Sequence, residues 1–388
     1  AGMHHASYTI QPLAPSHFSA GFVSKNRLQL RWKEVDDPQE ATARPTAYVL
    51  YKAVNNGSFD NGTIVYGTNS TIDLEEGSLY RFRVTAVNSG GESFPTEELA
   101  AQYCKKARKT VVVVNDFHRL AAPAIIDDNN EQGFDFNRDP GVPYGKYAGW
   151  NGCQTNYDKT MIGKEGSAAL GFGGDELAGL FVMGNTFDYT TEHVRAIASE
   201  NKYNVVSCSA DAVEDGIVRL SDFDAVDIIA GLEENDGHSL VYYKSFTPTL
   251  QKKLADYANN HGRIFVSGSY IGSDMTSDTE RSFLSNTLKV SLAGQNRDQI
   301  NTIVTGLGVK MDVWRALNEE HYAAVATDVI DAEQGAYCAM QYADGTSAAV
   351  AYDGKDYKAF TMGFPVECIK DTSIRRGVIR GIMAFLLK

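Results

Sequence analysis

The sequence predicts a multi-domain protein, in which an all-β sandwich precedes an α/β three-layer domain with a mainly parallel sheet. Its 388 residues exceed what one ordinary hydrophobic core supports, which favours two or more domains. Up to residue 104, short alternating segments are separated by turn residues. From residue 105 onward, apolar runs alternate with stretches at helical spacing. We therefore predict one domain over residues 1–104 and a second over residues 105–388.

Composition and charge restrict the classes of partner. The chain carries 36 basic and 49 acidic side chains, which give a formal charge of -13. Apart from one short run at residues 105–109, the basic residues are scattered, so we expect neither nucleic acid nor an anionic membrane surface as a partner. The apolar runs are too short for a transmembrane segment. A neutral polymer, a sugar or a peptide remains as the class of ligand.

No metal or cofactor is predicted. The cysteines are odd in number and scattered, without any C-x-x-C pair, which excludes a zinc ribbon and gives no disulfide framework. Asp135-Phe-Asn137-Arg-Asp139 begins like a calcium-binding loop. However, Lys146 occupies the position where a bidentate glutamate is needed, so the motif fails.

The N-terminal segment has the alternation and the turn residues of β-strands. In residues 80–86 the even-numbered side chains, from Tyr80 to Ala86, are expected to be buried, with Arg81, Arg83 and Thr85 facing water. Trp32 lies in an alternating strand, and Leu74, Gly77 and Tyr80 have the spacing of a loop anchored by a phenol.

These residues make residues 1–104 resemble the fibronectin type III family. Trp32 matches its buried strand tryptophan, and Leu74, Gly77 and Tyr80 match its tyrosine corner. The resemblance covers nearly the whole segment. It implies a spacer or docking module without catalytic chemistry.

The second domain is predicted from alternating strands and helices. Residues 110–114 are continuously apolar, which is typical of a strand buried on both faces of a parallel sheet. Further strands are predicted at 203–207, 223–229, 264–267 and 358–363, and helices at 190–201, 247–260 and 372–387. Ala343-Asp-Gly345 predicts a hairpin, hence antiparallel edge strands on a doubly wound core.

An insertion rich in glycine and aromatic residues is expected near residues 127–175. Its aromatic side chains either stack on sugar rings or pack within an irregular loop.

Three segments follow predicted strands, where ligands bind in such folds. They are residues 115–119, residues 268–274 and residues 364–367. The second segment, Gly268-Ser-Tyr270-Ile-Gly272, has the form of a nucleophile elbow on a strand-to-helix turn. It resembles the class I glutamine amidotransferase-like superfamily, a flavodoxin-like fold whose nucleophile at that position is cysteine. Here the position is Tyr270. The family's C-terminal histidine is also missing, although its acid has a counterpart in Glu367. The resemblance therefore implies the fold without a cysteine-dependent amidase mechanism.

A closer resemblance is to a family of secreted Gram-negative bacterial proteins, many labelled xanthan lyase and some joined to cell-wall amidase domains. The motifs that carry it are Val111-Val-Val-Val-Asn115-Asp-Phe-His118-Arg119, Gly184-Asn-Thr-Phe-Asp188-Tyr, Val266-Ser-Gly-Ser-Tyr270-Ile-Gly-Ser-Asp274 and Gly363-Phe-Pro365. The resemblance implies a secreted, periplasmic or outer-surface location and a polysaccharide or peptidoglycan ligand. It also makes further domains in a longer chain an expectation. It supports an envelope role better than it supports β-elimination.

The candidate catalytic residues are His118, Tyr270, Glu367 and Asp116. Asp116 would orient His118 as a base, and the alternative is a loop whose polar side chains cap neighbouring helices. Tyr270 would need strong tuning of a pKa of about 10, and the alternative is an elbow kept only as scaffold.

The candidate substrate-binding residues are Arg119, Asp188, His193 and Asp274. Arg119 suits a carboxylate or uronate. Asp188 and His193 lie at a strand-to-helix junction, where helix capping is an equal explanation. Glu233, Glu234, Asp236 and His238 are expected in a solvated loop.

Two functions follow from these residues. In the first, the protein is a glycan-active enzyme of lyase or hydrolase type, with its site at the carboxyl ends of the strands. In the second, it is a catalytically silent amidotransferase-like module that binds or scaffolds glycan or peptidoglycan. The missing cysteine and histidine favour the second, and the polar groups at three strand ends favour the first.

Overall fold

The computed structural model describes residues 8–145, 149–150, 157–165, 177 and 179–388. Its N-terminal part is an antiparallel sandwich. Its strands are β1 (Ser16–Ser24), β2 (Arg27–Lys33), β3 (Ala47–Val54), β4 (Thr63–Val65), β5 (Asn69–Asp73), β6 (Leu79–Asn88), β7 (Gly91–Glu92) and β8 (Leu99–Gln102). One sheet pairs β2 with β1 and β5, and the other pairs β3 with β4 and β6, with β7 and β8 beside β6. Trp32 packs between Phe18 and Tyr48, at ring-centroid distances of 6.4 and 5.7 Å.

The predicted tyrosine corner is confirmed. The backbone N–H of Glu75 donates to the hydroxyl of Tyr80 at 3.0 Å. Gly77, in the same loop, has a φ of +75°, which glycine adopts without steric cost. This contact fixes the loop that leads into β6.

The prediction that Arg81, Arg83 and Thr85 face water is wrong. Thr85 is buried, and its hydroxyl donates to Glu92 at 2.6 Å. Arg81 and Arg83 are half-buried, and their guanidinium groups lie over the ring of Phe59 in the same sandwich, at 5.3 and 4.3 Å from its centroid.

The second part of the chain contains a mixed sheet. The strands of this part are β9 (Thr110–Asn115), β10 (Ala124–Asp127), β11 (Glu131–Asp135), β12 (Gly149–Trp150), β13 (Tyr157–Asp158), β14 (Phe181–Val182), β15 (Asn204–Ser209), β16 (Ala225–Gly231), β17 (Arg263–Gly268), β18 (Val290–Asn296), β19 (Ile303–Gly306), β20 (Val309–Asp312), β21 (Thr327–Ala332), β22 (Ala336–Tyr342), β23 (Ser347–Asp353) and β24 (Lys358–Met362). Parallel pairing gives the order β15-β9-β16-β17-β24. Antiparallel pairing then adds β23, β22, β19 and β20 beyond β24.

The antiparallel strands include the predicted hairpin. β22 and β23 pair across Gly345, whose φ is +85°. β18 and β21 form a separate antiparallel pair. The expected parallel centre is therefore present, but the sheet as a whole is mixed.

Helices cover both faces of the parallel strands. They are α1 (Tyr189–Ala198), α2 (Ala210–Glu214), α3 (Pro248–Asn259), α4 (Asp278–Phe283) and α5 (Thr372–Leu386). Val111 and Val113 of β9 share a buried cluster with α1 and α5, and Val112 and Val114 share another with α2 and α3. The predicted burial on both faces is confirmed for Val111–Val114, whereas Thr110 is half-buried. Thr247 is the N-cap of α3, since its hydroxyl accepts from the N–H of Leu250 at 3.1 Å.

The sandwich joins the mixed sheet through β15. Val205 pairs with Gln102 of β8, and Ser19 of β1 pairs with Cys208. The buried hydroxyl of Ser207 also accepts from the N–H of Ala100 at 2.9 Å and donates to its carbonyl at 2.7 Å. Residues of both parts share one hydrophobic cluster. The junction is therefore a packed interface and not a loose tether.

The expected insertion contains short strands in its described portion. β10, β11 and β13 form one small sheet, and β12 pairs with β14. Outside the described residues lie Lys146, Tyr147 and Cys153 and the side chains of Trp150 and Tyr157.

No helix in the described residues is both long enough and apolar enough to cross a membrane.

Candidate binding site at the domain junction

A cavity of about 710 Å³ opens between the sandwich and the second part of the chain. We call it the seam cavity. Its polar and aromatic lining includes Arg83, Phe94, Glu97, Glu98, His118, Tyr144, Phe187, Asp188, Ser209 and Asp211. Its volume lies in the range of about 300–1,000 Å³ that is typical of small-molecule sites.

His118 connects the two walls of the seam cavity. The chain leaves the carboxyl end of β9 at Asn115, and the fully buried Phe117 anchors the loop that presents His118. His118 Nε2 lies 2.7 Å from Oε2 of Glu97, which belongs to the sandwich. The amide of Asn115 donates to the same carboxylate oxygen at 3.1 Å. The predicted site residue therefore has its partner in the other part of the chain.

Glu97 determines the charge of His118. Burial by itself lowers the pKa of His118, but the hydrogen bond and negative charge of Glu97 outweigh it and raise the pKa to about 10. The side chain remains 33% exposed. At neutral pH His118 is therefore an imidazolium, which can donate a hydrogen bond to a ligand but cannot accept a proton from one.

Ser209 does not complete a nucleophilic triad. Its hydroxyl lies 3.1 Å from His118 Nε2, the same nitrogen that contacts Glu97. In a triad the carboxylate and the nucleophile occupy opposite ring nitrogens, so that the proton of the nucleophile has a free acceptor. Here Glu97 already occupies that nitrogen.

Three aromatic side chains form one wall of the seam cavity. The ring centroids of Phe94 and Tyr144 are 6.3 Å apart, and those of Tyr144 and Phe187 are 5.8 Å apart. Phe94 is 71% exposed, although large aromatic side chains are usually well buried. We call these three residues the aromatic wall.

Phe187 holds a left-handed backbone conformation. Its φ is +58°, which is rare for a bulky residue and costs roughly 1–3 kcal/mol. Two hydrogen bonds fix it: its N–H donates to Asn185 Oδ1 at 2.9 Å, and its carbonyl accepts from the N–H of Glu98 at 2.7 Å. Contacts across the junction thus hold one member of the aromatic wall in place.

Glu233 supports the His118 loop from behind, and the neighbouring carboxyl group of Asp116 has a buried Oδ2 without a hydrogen-bond partner among the described residues. Both are buried, and Glu233 accepts from the backbone N–H groups of His118 at 2.9 Å and of Arg119 at 2.8 Å. Burial raises the pKa of Glu233 to about 7, and it raises the pKa of Asp116 well above its usual range, an effect that the charge of Glu233 reinforces. Glu233 is not in a solvated loop as expected, and neither carboxyl group lines the seam cavity.

Arg119 is completely buried within a carboxylate cluster. Its guanidinium pairs with Asp139, with Glu234 at 3.4 Å and with Asp236 at 3.2 Å. This arrangement saturates the guanidinium inside the fold. The geometry leaves no open face for the uronate that the sequence suggested.

Tyr270 is packed under the sheet edge and is only 5% exposed. Burial raises its pKa well above the ordinary tyrosine value. Within the described residues, no position from 263 to 274 has a positive φ, and α4 begins only at Asp278. The segment therefore lacks the strained strand-to-helix turn of an elbow.

Asp274 is also buried. Its carboxylate accepts from the backbone N–H groups of Asn235 at 3.0 Å and of Ser245 at 2.8 Å.

His193 and Glu367 belong to a buried chain of polar groups. His193 Nδ1 lies 2.6 Å from Asp227, and Nε2 lies 3.0 Å from Glu367, which also accepts from the hydroxyl of Tyr322 at 2.6 Å. Burial lowers the pKa of His193, but the two carboxylates raise it to about 10. Ion pairs therefore occupy both ring nitrogens, and His193 has no exposed surface.

The structure brings together only some of the predicted residues. His118 and Asp188 line the seam cavity, whereas Asp116, Arg119, Tyr270 and Asp274 do not. Asp188 is the exposed N-cap residue of α1, where it accepts from the hydroxyl of Thr186. Glu97, Glu98, Phe94 and Phe187 were not predicted as site residues, whereas Tyr144 belongs to the aromatic-rich insertion for which sugar stacking was one expectation. Glu97 and Glu98 are part of a polar turn in the sequence, and no local pattern shows that another part of the chain covers it.

Comparison with known proteins identifies one region. Residues 13–102 match the family model described as fibronectin type III domain. No curated protein matches the chain. The third fibronectin III domain of the human KIAA0343 protein is 16% identical, with a TM-score of 0.21, and the match covers 26% of this chain and 90% of that one. The exo-β-1,4-mannosidase Op5Man5 from Opitutaceae bacterium strain TAV5 is 11% identical, with a TM-score of 0.35, and the match covers 51% of this chain and 30% of that one.

A third solved structure, described as a myokine, is 18% identical with a TM-score of 0.21, and the match covers 24% of this chain and 98% of that one. The family match and the tyrosine corner of Tyr80 agree on the same segment. Residues 13–102 of this chain are a fibronectin type III domain.

Proposed function

We propose that this protein binds glycan in the seam cavity, and that residues 105–388 are a catalytically silent, amidotransferase-like module. The observation that carries the proposal is the aromatic wall, with Phe94 71% exposed inside a cavity. The apolar faces of sugar rings pack on aromatic rings, and sites of this kind combine such surfaces with a few fixed polar groups.

Other residues that line the seam cavity supply those polar groups. His118, protonated by its contact with Glu97, is a fixed donor. Glu98 and Asp188 also line the cavity and offer carboxylate oxygens to sugar hydroxyls. A ligand held there would contact both parts of the chain, which gives the fibronectin type III domain a direct role in recognition.

Three features support binding without turnover. Tyr270 stands where the amidotransferase-like family carries cysteine, and it is packed. Ion pairs within the fold occupy both ring nitrogens of His193. His118 holds its proton at neutral pH, so the base that a lyase or a hydrolase needs is missing at the position where the sequence suggested one.

The proposed location is extracytoplasmic, at the cell envelope, as the family resemblance implies. Fractionation of the source cells tests this part separately. Recovery in the periplasm, on the outer surface or in the medium supports it, and recovery in the cytoplasm contradicts it.

The binding proposal is tested by calorimetry against a panel of neutral and acidic oligosaccharides and peptidoglycan fragments, with product analysis of every mixture. Phe94→Ala should weaken binding at least about tenfold, because truncating a central aromatic contact commonly costs about 2 kcal/mol or more. Tyr66→Ala is the matched control, since Tyr66 is 83% exposed on the same domain and does not line the seam cavity. Equal affinities of Phe94→Ala and wild type would reject the site, and cleaved products would reject the silent module.

A further inference from the structure

A second cavity of about 520 Å³ adjoins the seam cavity. Glu98, Met183, Thr186 and Asp188 line both cavities, so a ligand in one can reach the other without crossing the protein interior. Arg81, Arg195, Arg375 and Arg376 also line this second cavity, which we call the arginine cavity.

Two of these arginines share one carboxylate. Arg375 Nε and Arg376 Nε each lie 3.0 Å from the same Oε1 of Glu192, and Arg376 also donates to Oε2 at 3.1 Å. One negative charge thus faces two guanidinium groups. The Arg376 side chain is 32% exposed, whereas the other guanidinium nitrogens of Arg375 donate to the carbonyl of Ile369 at 2.7 Å and to the hydroxyl of Thr372 at 3.2 Å.

Arg195 has a neutral partner. Its Nη1 donates to Asn56 Oδ1 at 2.8 Å, and within the described part of the chain no carboxylate oxygen lies within 4.0 Å of its guanidinium nitrogens. Burial lowers the pKa of Arg195, and the nearby charge of Arg376 lowers it further, whereas the charges of Glu192 and Glu98 oppose this shift. Arg195 therefore has a guanidinium neighbour but no carboxylate in direct contact within the described residues.

Besides Glu192, four carboxylates line the arginine cavity, and within the described residues none of them pairs with Arg195. Glu98 pairs with Arg81 at 3.4 Å, and Glu367 pairs with the buried His193 at 3.0 Å. Asp188 and Glu320, which also line the cavity, are exposed. Among the four arginines, Arg195 thus lacks a carboxylate partner within the described residues, and its guanidinium is the group that a ligand would match.

We propose that the arginine cavity binds an anionic group, a carboxylate or a phosphate, of the same ligand whose sugar rings occupy the seam cavity. The inference rests on the proposed function and adds the chemical class of the ligand, an acidic glycan. Guanidinium groups suit this task because their planar N–H forks match the paired oxygens of carboxylate and phosphate.

The test compares three ligands of equal length: a neutral gluco-oligosaccharide, the same chain with one glucuronate, and the same chain with one 6-phosphate. Calorimetry at low salt gives the ratio of acidic to neutral affinity. We expect a ratio of about ten or more in the wild type, which falls toward one in Arg195→Gln and in high salt. The larger of the two acidic ratios distinguishes carboxylate from phosphate.

Two further variants secure the test. Arg219→Gln is the matched control, because Arg219 is exposed and lies outside both cavities. Arg376→Gln replaces Arg195→Gln if circular dichroism shows that the latter is unfolded.

A wild-type ratio of acidic to neutral affinity near one, with neutral binding intact, overturns the anion site alone. An unchanged ratio in the folded Arg195→Gln variant overturns it as well. No binding of any of the three ligands overturns the glycan-binding function together with the anion site.

Discussion

His118 of the mixed-sheet region and Glu97 of the fibronectin type III domain meet at 2.7 Å across the junction of the two parts. This contact makes the smaller domain a component of the candidate site. It also explains why the histidine is charged and why its loop is held at the edge of the cavity, with Asn115 donating to the same carboxylate.

Glu97→Gln should lower the pKa of His118. The variant keeps the shape of the side chain but removes the negative charge that raises the pKa to about 10, so we expect a fall of about two pH units or more. Histidine-selective NMR titration measures it directly. Glu75→Gln, a change at an exposed position of the same domain, should leave the His118 titration unchanged. A His118 pKa that stays near that of the wild type in Glu97→Gln would show that Glu97 is not its main determinant.

The free energy of unfolding should depend on pH through His118. Its pKa is raised from about 6.5 in the unfolded chain to about 10 in the folded one. The stabilisation is therefore fully present below about pH 6.5 and is lost as the pH rises toward about 10. Urea denaturation across this window should show a fall in stability that is smaller in Glu97→Gln. Part of the fall persists in the variant because His193 also has a raised pKa, of about 10.

His193→Asn should destabilise the fold by about 3–5 kcal/mol, because it leaves the buried carboxyl groups of Asp227 and Glu367 without their shared cation. Urea denaturation at neutral pH measures the loss. His261→Asn is the control, since His261 is exposed, and it should cost less than about 1 kcal/mol. A loss of that small size in His193→Asn would mean that the buried chain contributes little to stability.

Tyr270→Phe should leave glycan affinity within about twofold of the wild type, because Tyr270 is packed outside both cavities. The same calorimetric panel measures it. A loss of tenfold or more, with the fold intact by circular dichroism, would place the ligand at the carboxyl end of β17 and reject the seam cavity as the site.

Much of the fold could be predicted from local patterns. The apolar run at residues 110–114 forms β9, the spacing of Gly77 and Tyr80 forms the tyrosine corner, and Gly345 turns the β22–β23 hairpin. Each of these depends on side chains within a short segment. The strands from β18 to β21 were not predicted individually, because their exposed and buried residues alternate irregularly and, apart from the tight β19–β20 hairpin, their partners are distant in sequence.

The candidate site was harder to predict because it depends on contacts between distant segments. Arg119 and Tyr270 have residue types and strand-end positions typical of functional groups, yet both are buried by neighbours that no local motif reveals. Conversely, Glu97 and Phe94 belong to a turn of the smaller domain, and only the packing of β8 against β15 brings them opposite His118. Strand-end position indicated the correct edge of the sheet for His118 but not its partner.

The most direct test is a crystal structure of the protein with the tightest-binding oligosaccharide of the panel. The account predicts a sugar ring against Phe94 and Tyr144, with His118 donating a hydrogen bond to the ligand and, for an acidic ligand, its anionic group beside Arg195. A ligand bound at Tyr270, or on a surface that excludes the fibronectin type III domain, would contradict it.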